Sequence, residues 1–246
     1  MTISFIWFDL GYTLVYQDRE TVYREYLLAQ GIDLPLGRIE EAYHLADKLF
    51  MRHYPGALGQ EWDSFYPWYL GVLNYSLGVR FPLAAQAAAL NEGQRRRGSR
   101  WQAYPFVADI LQWLKERDYG VGLISNWDHT ARIVLEENGL ASYFDHIVVS
   151  SEVNMAKPDT RIFQLAAQNA GVLPEHCLYI GDNYYDDVAG SVRAGMAACL
   201  VNRFGQLGIE ELPPVARIDS VAELPRLLAR ANDQRTNHTF ERRNVL

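Results

Sequence analysis

The sequence predicts an α/β fold, in which a parallel sheet carries helices on both faces and a smaller helical domain is inserted near the N-terminus. Two observations lead to this prediction. Short apolar runs alternate along the chain with longer segments of helical periodicity. These runs lack the polar alternation of a half-exposed strand, which is typical of parallel strands buried on both sides. Residues 15–100 show helical patterns and no such run.

The apolar runs are predicted to be the strands of a Rossmann-like sheet: residues 3–8, 121–125, 146–150, 178–181 and 198–201. The helices predicted between and after them, several ending near a glycine, are residues 106–117, 130–138, 159–169, 187–194 and 220–231. Sheets of this kind bind ligands at the carboxyl ends of their strands. We therefore look for chemistry in the residues that directly follow each predicted strand.

Residues 15–100 interrupt the alternation and are predicted to form a helical cap domain. Its helices are expected at residues 20–30, 38–53 and 83–97, separated by segments rich in Pro and Gly. The core domain then comprises residues 1–14 and 101–231. The polar, aperiodic residues 232–246 are predicted to be a C-terminal tail.

The composition narrows the expected partners. The 246 residues are 49% hydrophobic and 22% charged, as in ordinary globular proteins. The net charge of −7 argues against nucleic acid, and the apolar run at 3–8 is far shorter than the roughly 20 residues that span a bilayer. Cys177 and Cys199 lie in apolar runs, as buried reduced thiols do. We expect a cytoplasmic monomer or homodimer that binds neither membrane nor nucleic acid.

Six polar residues lie at strand ends or in a loop before a helix: Asp9, Ser125, Asn126, Lys157, Asp182 and Asp187. Mg²⁺ commonly binds one or two carboxylates together with the phosphate oxygens of a substrate, and a lysine offsets phosphate charge. Each residue alone has a simpler explanation, because Asp after a strand often caps a helix or closes a turn. Their order and placement together predict a site that holds a phosphate group through a divalent cation.

Four motifs carry a resemblance to a known family: residues 8–14 (FDLGYTL), 124–126 (ISN), 157–159 (KPD) and 181–183 (GDN) with Asp187 behind them. With these motifs the chain resembles the haloacid dehalogenase (HAD) superfamily of aspartate-nucleophile hydrolases. It looks most like the phosphatase-type members, which carry a helical (C1) cap after the first motif. The resemblance covers nearly the whole chain.

The resemblance implies a role for each motif residue. Asp9 is the expected nucleophile, which attacks phosphorus to form an aspartyl-phosphate. Thr13, Ser125 and Asn126 are expected to bind the substrate's phosphoryl group. Lys157 is expected to bind it as well, and to stabilise charge on the nucleophile and the phosphate during catalysis. The expected Mg²⁺ ligands are Asp9, the backbone carbonyl of Gly11, Asp182 and Asp187, of which Asp187 either binds the ion through water or orients Lys157.

The chain departs from the family pattern two residues after the nucleophile. The family's phosphatases carry there an aspartate that protonates the leaving group and then activates water, whereas this chain has Gly11. General acid–base catalysis typically contributes about 10²- to 10⁴-fold, so simple alkyl phosphates are expected to react slowly. Tyr12 stands where the family usually has glycine and is interpreted as a packing residue. His129 is interpreted as a surface residue, with a substitute acid as the alternative.

Three functions are compatible with this pattern. The favoured one is a Mg²⁺-dependent phosphatase that acts on a small phosphorylated metabolite with a good leaving group, such as a sugar 1-phosphate or an acyl phosphate. The second is a catalytically weak or inactive protein that binds a phosphorylated ligand. The third is a metal-free dehalogenase-type hydrolase. Asp182 argues against the third, as does Tyr12, because dehalogenases carry their aromatic residue two positions after the nucleophile and not three.

The predicted cap contains one segment rich in aromatic residues: Trp62, Phe65, Tyr66, Trp68 and Tyr69. Such side chains bury large areas and usually form the core of a helical domain. The alternative is an aromatic wall that selects the substrate. A cap over the strand ends excludes water and favours small soluble substrates over phosphoproteins.

Overall fold

The computed structural model describes residues 2–59, 62–98 and 100–229, with the backbone alone at 62–64. Its strands are β1 (Phe5–Phe8), β2 (Val15–Tyr16), β3 (Gln102–Ala103), β4 (Gly120–Ser125), β5 (His146–Val149), β6 (Cys177–Gly181), β7 (Ala197–Val201) and β8 (Arg217–Ile218). Six of them form one parallel sheet in the order β5–β4–β1–β6–β7–β8. Strands β2 and β3 pair antiparallel as a separate ribbon.

The helices are α1 (Arg19–Ala29), α2 (Leu36–His53), α3 (Trp62–Leu77), α4 (Leu83–Arg97), α5 (Val107–Lys115), α6 (Ala131–Glu137), α7 (Ser150–Val153), α8 (Thr160–Asn169) and α9 (Ala189–Arg193). A π-helical turn at Tyr184–Val188 leads into α9. Residues 224–229 are helical as well. The predicted tail, residues 232–246, and the end of the predicted helix 220–231 lie outside the described residues.

Both faces of the sheet are covered by helices, as the uniformly apolar strands predict. Ile6 and Phe8 of β1 pack on one face in a cluster that includes residues of α5 and α6. Phe5 and Trp7 point to the other face, where they pack with residues of α8. Alternate residues of one strand therefore enter two cores, and every residue of β1 is buried. The α/β fold class is confirmed.

Helices α1–α4 occupy the stretch between the two strands of the ribbon. Their buried side chains form a hydrophobic cluster of their own, which includes Tyr23, Phe50, Leu70 and Leu90. The ribbon of β2 and β3 lies where the chain enters and leaves this helical segment. The domain boundaries at 14/15 and 100/101 fall beside that ribbon and stay predictions.

Several elements were not predicted from the sequence. Helix α3 contains Pro67 within an aromatic run, a composition without clear helical periodicity. Strand β8 and the ribbon strands have two residues each, too few for a period to show. The helix predicted at 187–194 begins earlier, because Asn183 accepts hydrogen bonds from the backbone N–H groups of Tyr185 and Asp186 and starts the π-helical turn.

The two cysteines are buried and unpaired, as predicted. Of the described helices, none combines the length and the apolar character that crossing a membrane requires.

Candidate active site

The sheet order brings three strand ends side by side. Strand β1 lies between β4 and β6, and all three run parallel. Asp9 directly follows β1, Ser125 is the last residue of β4, and Asp182 directly follows β6. The backbone N–H of Asp9 donates to the carbonyl of Ile180 at 2.9 Å, which fixes the start of the loop. Three residues from distant parts of the chain thus meet at one edge of the sheet.

Lys157 reaches into this edge from the loop before α8. Its Nζ donates to Asp9 Oδ1 at 2.7 Å, to Asp187 Oδ1 at 2.6 Å and to the Tyr179 hydroxyl at 2.9 Å. Burial alone would lower the pKa of Lys157, but the carboxylates of Asp187 and Asp9 outweigh it and hold that pKa well above its ordinary value. The lysine is therefore a permanent cation between two carboxylates.

Asp9 is held in one orientation by its neighbours. Its Oδ1 accepts hydrogen bonds from Lys157 and, at 3.1 Å, from the Ser125 hydroxyl. Its Oδ2 accepts none from the described residues, and it remains available for attack on a ligand. A carboxylate oriented in this way by a cation and a hydroxyl is suited to nucleophilic attack.

Tyr179 belongs to this network, although no feature of the sequence sets it apart. Its hydroxyl accepts from Lys157 and donates to the Ile124 carbonyl at 2.7 Å. The residue is fully buried on β6. Its position in an apolar run made it look like a core residue, and nothing in the strand pattern distinguishes it from one.

Asp187 is fixed on both of its oxygens. Oδ1 accepts from Lys157, and Oδ2 accepts from the backbone N–H of Asn183 at 2.9 Å. Gly181 makes room for it, because a Cβ built at Gly181 would lie 2.2 Å from Asp187 Oδ2. The glycine of the fourth motif is therefore required by the close approach of this carboxylate.

Asp9, Asp182 and Asp187 together form a candidate metal site, with one oxygen of each within 4.8 Å of the others. Burial, together with the neighbouring carboxylates of Asp187 and Asp9, raises the pKa of Asp182 to about 8 against the opposing charge of Lys48. Three carboxyl groups this close disfavour one another's ionised form, and a divalent cation among them would remove that penalty. Three hard oxygen donors that converge in this way fit Mg²⁺. Gly11, whose carbonyl was the fourth expected ligand, lines the same cleft.

Two predicted phosphate-binding residues are placed differently from the others. The side-chain amide of Asn126 forms two hydrogen bonds with the backbone of Lys157. Its Nδ2 donates to the Lys157 carbonyl at 2.9 Å, and its Oδ1 accepts from the Lys157 N–H at 2.7 Å. Thr13 lines a neighbouring cavity of about 240 Å³ and not the large cleft above Asp9. Its hydroxyl is buried without a hydrogen-bond partner among the described residues.

A cleft of about 680 Å³ opens above Asp9, between the strand ends and the helical segment. Its aromatic lining comes from Tyr12, Tyr43, Tyr54, Phe65, Tyr66, Tyr69, Trp101 and Trp127. Phe65, Tyr66 and Tyr69 are at the same time buried in the hydrophobic cluster of α1–α4. These residues therefore pack in the core, as interpreted, and also line the cleft, whereas Trp68 is 65% exposed. Selection of the substrate by these rings stays a prediction. The side chain of Trp62 lies outside the described residues.

The space beside Gly11 is filled by two indole rings. A Cβ at Gly11 would lie 3.1 Å from Cζ3 of Trp127 and 3.7 Å from Cη2 of Trp101. Tyr12 takes a left-handed backbone conformation with φ +52°, which explains why glycine is favoured there. Its ring packs against Trp101, with centroids 5.3 Å apart, and under the guanidinium of Arg19 at 4.4 Å. Tyr12 is thus a packing residue, as interpreted.

His129 does not line the cleft and is exposed. This placement matches the interpretation as a surface residue and gives no support to a role as substitute acid. Its neighbour Asp128 lines the cleft, and hydrogen bonds from the hydroxyl and N–H of Thr130 lower the pKa of that carboxyl.

Lys48 links the helical segment to the candidate metal site. It lies on α2, is buried, and its Nζ donates to the backbone carbonyl of Asp182 at 2.5 Å. The same helix contacts a core loop through His44, whose Nε2 lies 2.9 Å from the Leu207 carbonyl. No sequence signal singled out Lys48, because only the folded chain brings residues 48 and 182 together.

Replacing Lys48 with methionine is expected to lower the free energy of unfolding by about 1.5–3 kcal/mol, the usual contribution of a hydrogen bond to a charged group. Urea unfolding measures this difference. The matched control is Lys115→Met, since Lys115 forms a half-exposed pair with Asp145 and such pairs contribute about 0–1 kcal/mol. Equal losses in the two variants would show that the contact between Lys48 and Asp182 is not stabilising.

Comparison with known proteins agrees with this geometry. A family model described as haloacid dehalogenase-like hydrolase matches residues 6–195, which span the four motifs. The chain belongs to this family. The resemblance drawn from the motifs is confirmed at that level.

Several HAD relatives are similar to this chain over most of its length. The haloacid dehalogenase-like hydrolase domain-containing protein 3 of Danio rerio is 29% identical over 209 residues, 82% of this chain and 86% of the relative. The Bos taurus protein of the same name is 30% identical over 203 residues, 79% of this chain and 77% of the relative.

Relatives with a named activity match over shorter stretches. A glyceraldehyde 3-phosphate phosphatase of Methanothermobacter thermautotrophicus is 35% identical over 105 residues, 40% of this chain and 44% of the relative. The pyrimidine 5'-nucleotidase YjjG of Escherichia coli is 35% identical over 113 residues, 45% of this chain and 50% of the relative. These matches span half or less of each named protein.

Two solved HAD structures show the same fold at low identity. A HAD phosphatase from Thermococcus onnurineus has a TM-score of 0.58 at 24% identity, covering 93% of this chain and 98% of that one. The L-2-haloacid dehalogenase RSc1362 has a TM-score of 0.60 at 21% identity, covering 93% and 100%. One fold thus serves two chemistries, so the function must be argued from the site.

Proposed function

We propose that this HAD-like hydrolase is a Mg²⁺-dependent phosphatase, which acts on a small phosphorylated metabolite through an aspartyl-phosphate at Asp9. The observation that carries the proposal is the convergence of Asp9, Lys157 and the carboxylates of Asp182 and Asp187 at one sheet edge. Two relatives whose names are phosphatase and nucleotidase support phosphate-ester chemistry.

In the first step, a carboxylate oxygen of Asp9 attacks phosphorus and the bond from phosphorus to the ester oxygen breaks. The electron pair of that bond leaves with the ester oxygen. Lys157 and the Ser125 hydroxyl lie within hydrogen-bond distance of Asp9 and would stabilise charge on the phosphoryl oxygens as they approach it. Because these donors are already fixed by the fold, little reorganisation is required.

In the second step, water attacks the phosphorus of the aspartyl-phosphate, the bond from phosphorus to the Asp9 oxygen breaks, and phosphate leaves. The protons of the attacking water go to the phosphate or to solvent. Asp9 regains its carboxylate, and Lys157 is in place to stabilise it. Asp9, Asp182 and Asp187 would hold the Mg²⁺ ion. When bound, this ion would neutralise charge on the phosphoryl group. Asn126, by binding the Lys157 backbone, would position the lysine.

The preference for good leaving groups follows from the space beside Gly11. In the family, an aspartate at this position supplies the proton that the leaving group takes. Here the position carries no side chain, and Trp127 and Trp101 fill the adjacent space. A leaving group that is stable as an anion needs less protonation and would be favoured.

Phosphate release from acetyl phosphate, a sugar 1-phosphate and a sugar 6-phosphate tests the proposal, with Mg²⁺ or with EDTA. We expect release that requires Mg²⁺, with the sugar 6-phosphate the slowest of the three. Release that is unchanged in EDTA would contradict the metal site. No release from any of the three would contradict a phosphatase.

A well-placed general acid contributes at least about 10²-fold to the rate. Gly11→Asp is expected to raise the turnover of sugar 6-phosphates by less than this. The new side chain meets Trp127 at a distance tighter than normal contact, so the carboxylate cannot settle beside the substrate without moving the ring. Adding Trp127→Ala should raise the gain above that of the single variant. Steady-state kcat/KM measures both.

The matched control is Gly37→Asp, because a Cβ at Gly37 meets no atom within 4 Å. It introduces the same charge at a glycine in open space, and activity should stay at the wild-type level. A full 10²-fold gain from Gly11→Asp alone would show that the two indoles do not obstruct the position.

The filling of the space beside Gly11 by Trp127 and Trp101 also favours a second candidate function. A protein that binds a phosphorylated ligand without turnover needs no acid, and the polar groups around Asp9 would still hold phosphate. It predicts ligand-induced stabilisation with no phosphate release above that of an Asp9→Asn variant.

A further inference from the structure

The cleft above Asp9 combines a charged end at the strand ends with a group of aromatic rings beside it. Ser125, Lys157, Asp182 and Asp187 gather around Asp9 and are suited to a phosphoryl group and a cation. The remaining lining includes eight aromatic residues, from both the core and the helical segment, beside polar side chains such as Gln17, Arg19 and Gln94. An ester whose phosphorus faces Asp9 therefore has its leaving group among those rings.

Two of the rings stand next to the nucleophile. Trp101 and Trp127 flank Gly11, two residues from Asp9, and their ring centroids lie 4.8 Å apart at an interplanar angle of 63°. Trp127 is held in place, because its Nε1 donates to the Thr130 hydroxyl at 3.0 Å. Both rings are only partly buried, and both line the cleft. The two indoles thus present a preformed apolar surface to the leaving group.

The acids that line the cleft are engaged elsewhere. Asp47 is paired with Arg19 and accepts from the Tyr69 hydroxyl at 2.6 Å, and Asp128 accepts from Thr130. The other carboxylates are those of the candidate metal cluster and that of Asp186, whose Oδ2 accepts from the Asn183 side-chain amide at 2.9 Å. No histidine occurs among the described residues that line this cleft.

We infer that the leaving group is an aryl oxide, so that the substrate is a phosphate monoester of a phenolic ring that packs on Trp101 and Trp127. This inference rests on the proposed phosphatase function. As Asp9 bonds to phosphorus, the bond from phosphorus to the aryl oxygen breaks and the phenoxide leaves with the electron pair. Water protonates it afterwards. A phenol has a pKa of about 10, as in tyrosine. Its anion can therefore leave without protonation by the aspartate that Gly11 replaces.

Three substrates distinguish the effect of the aromatic ring from the effect of the leaving group. Each is tested with the Mg²⁺-loaded protein. Phenyl phosphate has a ring and a phenoxide leaving group, benzyl phosphate has a ring and an alkoxide, and acetyl phosphate has no ring and a good leaving group. We expect kcat/KM for phenyl phosphate to exceed that for benzyl phosphate by at least about 100-fold. We expect its KM to lie about three- to tenfold below that of acetyl phosphate.

Variants of the two tryptophans test the binding surface. Trp127→Leu and Trp101→Leu should each raise the KM for phenyl phosphate about three- to tenfold while changing that for acetyl phosphate less than twofold. Trp127→Phe should retain most of the preference. The control is Tyr75→Ala, since Tyr75 is 89% exposed on α3 and does not line the cleft.

A measurement on the wild-type protein tests the same binding surface if the tryptophan variants do not fold. Phenylphosphonate should inhibit acetyl phosphate turnover about three- to tenfold more strongly than methylphosphonate. Turnover of acetyl phosphate without a preference for the ring, in KM or in inhibition, would overturn this inference and leave the phosphatase intact. Turnover of none of the three substrates would overturn both this inference and the phosphatase proposal.

Discussion

Replacement of Asp9 by asparagine is expected to lower Mg²⁺-dependent phosphate release by a factor on the order of 10⁴ or more, because an amide oxygen cannot act as the nucleophile. The protein should remain folded. Asn keeps the size of the side chain and can still accept hydrogen bonds from Lys157 and Ser125. It also removes one negative charge from a cluster in which three carboxylates crowd together.

The measurement is phosphate release from acetyl phosphate, with urea unfolding of the same preparations. Asp33→Asn is the matched control, because Asp33 is largely exposed and pairs only with Arg24 in the described contacts. It should be as active as the wild type. Turnover of Asp9→Asn within tenfold of the wild type would rule out Asp9 as the nucleophile.

Replacement of Lys157 by methionine is expected to cost about 3–5 kcal/mol of unfolding free energy, together with nearly all activity. The ammonium lies between Asp9 and Asp187, and its side chain is only 3% exposed. Removing one partner of a buried charge network leaves the others without compensation. Urea unfolding gives the stability difference, and Lys115→Met is the surface control.

The pH dependence of this loss has a defined sign. Burial raises the pKa of Asp187, and Lys157 opposes the rise more than the hydrogen bond from the Asn183 N–H does, so the variant raises that pKa further. A carboxyl group with a raised pKa binds its proton more tightly in the folded than in the unfolded protein. It therefore destabilises the folded protein increasingly as the pH rises above about 4, which is the pKa of an aspartate in the unfolded chain. The deficit should therefore be larger at about pH 8 than at about pH 5.

A double variant distinguishes the contribution of Lys157 to stability from its contribution to catalysis. Lys157→Met with Asp187→Asn removes one of the stranded carboxylates, so part of the lost stability should return while activity stays absent. If Lys157→Met alone loses less than about 1 kcal/mol and shows no pH dependence, the ion-pair network is not what holds this edge of the sheet together.

Much of the fold can be predicted from local pattern alone. The five long strands of the main sheet are apolar runs with few polar interruptions, and the parallel order places the ends of β1, β4 and β6 together. Asp9, Ser125 and Asp182 could be assigned to one site on that basis, and Lys157 joined them through its motif. The network around Asp9 confirms that these residues meet.

Other parts of the site depend on contacts that no local pattern encodes. The filling of the space beside Gly11 requires residues 11, 101 and 127 to meet, and only the folded chain brings them together. Lys48 reaches the Asp182 carbonyl from a helix whose own pattern indicates only an amphipathic surface. Tyr179 is indistinguishable in sequence from its buried strand neighbours.

Phosphoryl transfer to Asp9 is tested most directly by trapping it. The Mg²⁺-loaded protein would be mixed with acetyl phosphate carrying a labelled phosphoryl group, quenched in acid and digested, and the labelled peptide identified by mass spectrometry. We predict a label on the peptide that contains Asp9, released by hydroxylamine as an acyl phosphate and absent when EDTA is added. Turnover of acetyl phosphate with the label on another residue, or with no labelled peptide under any quench condition, would contradict the mechanism.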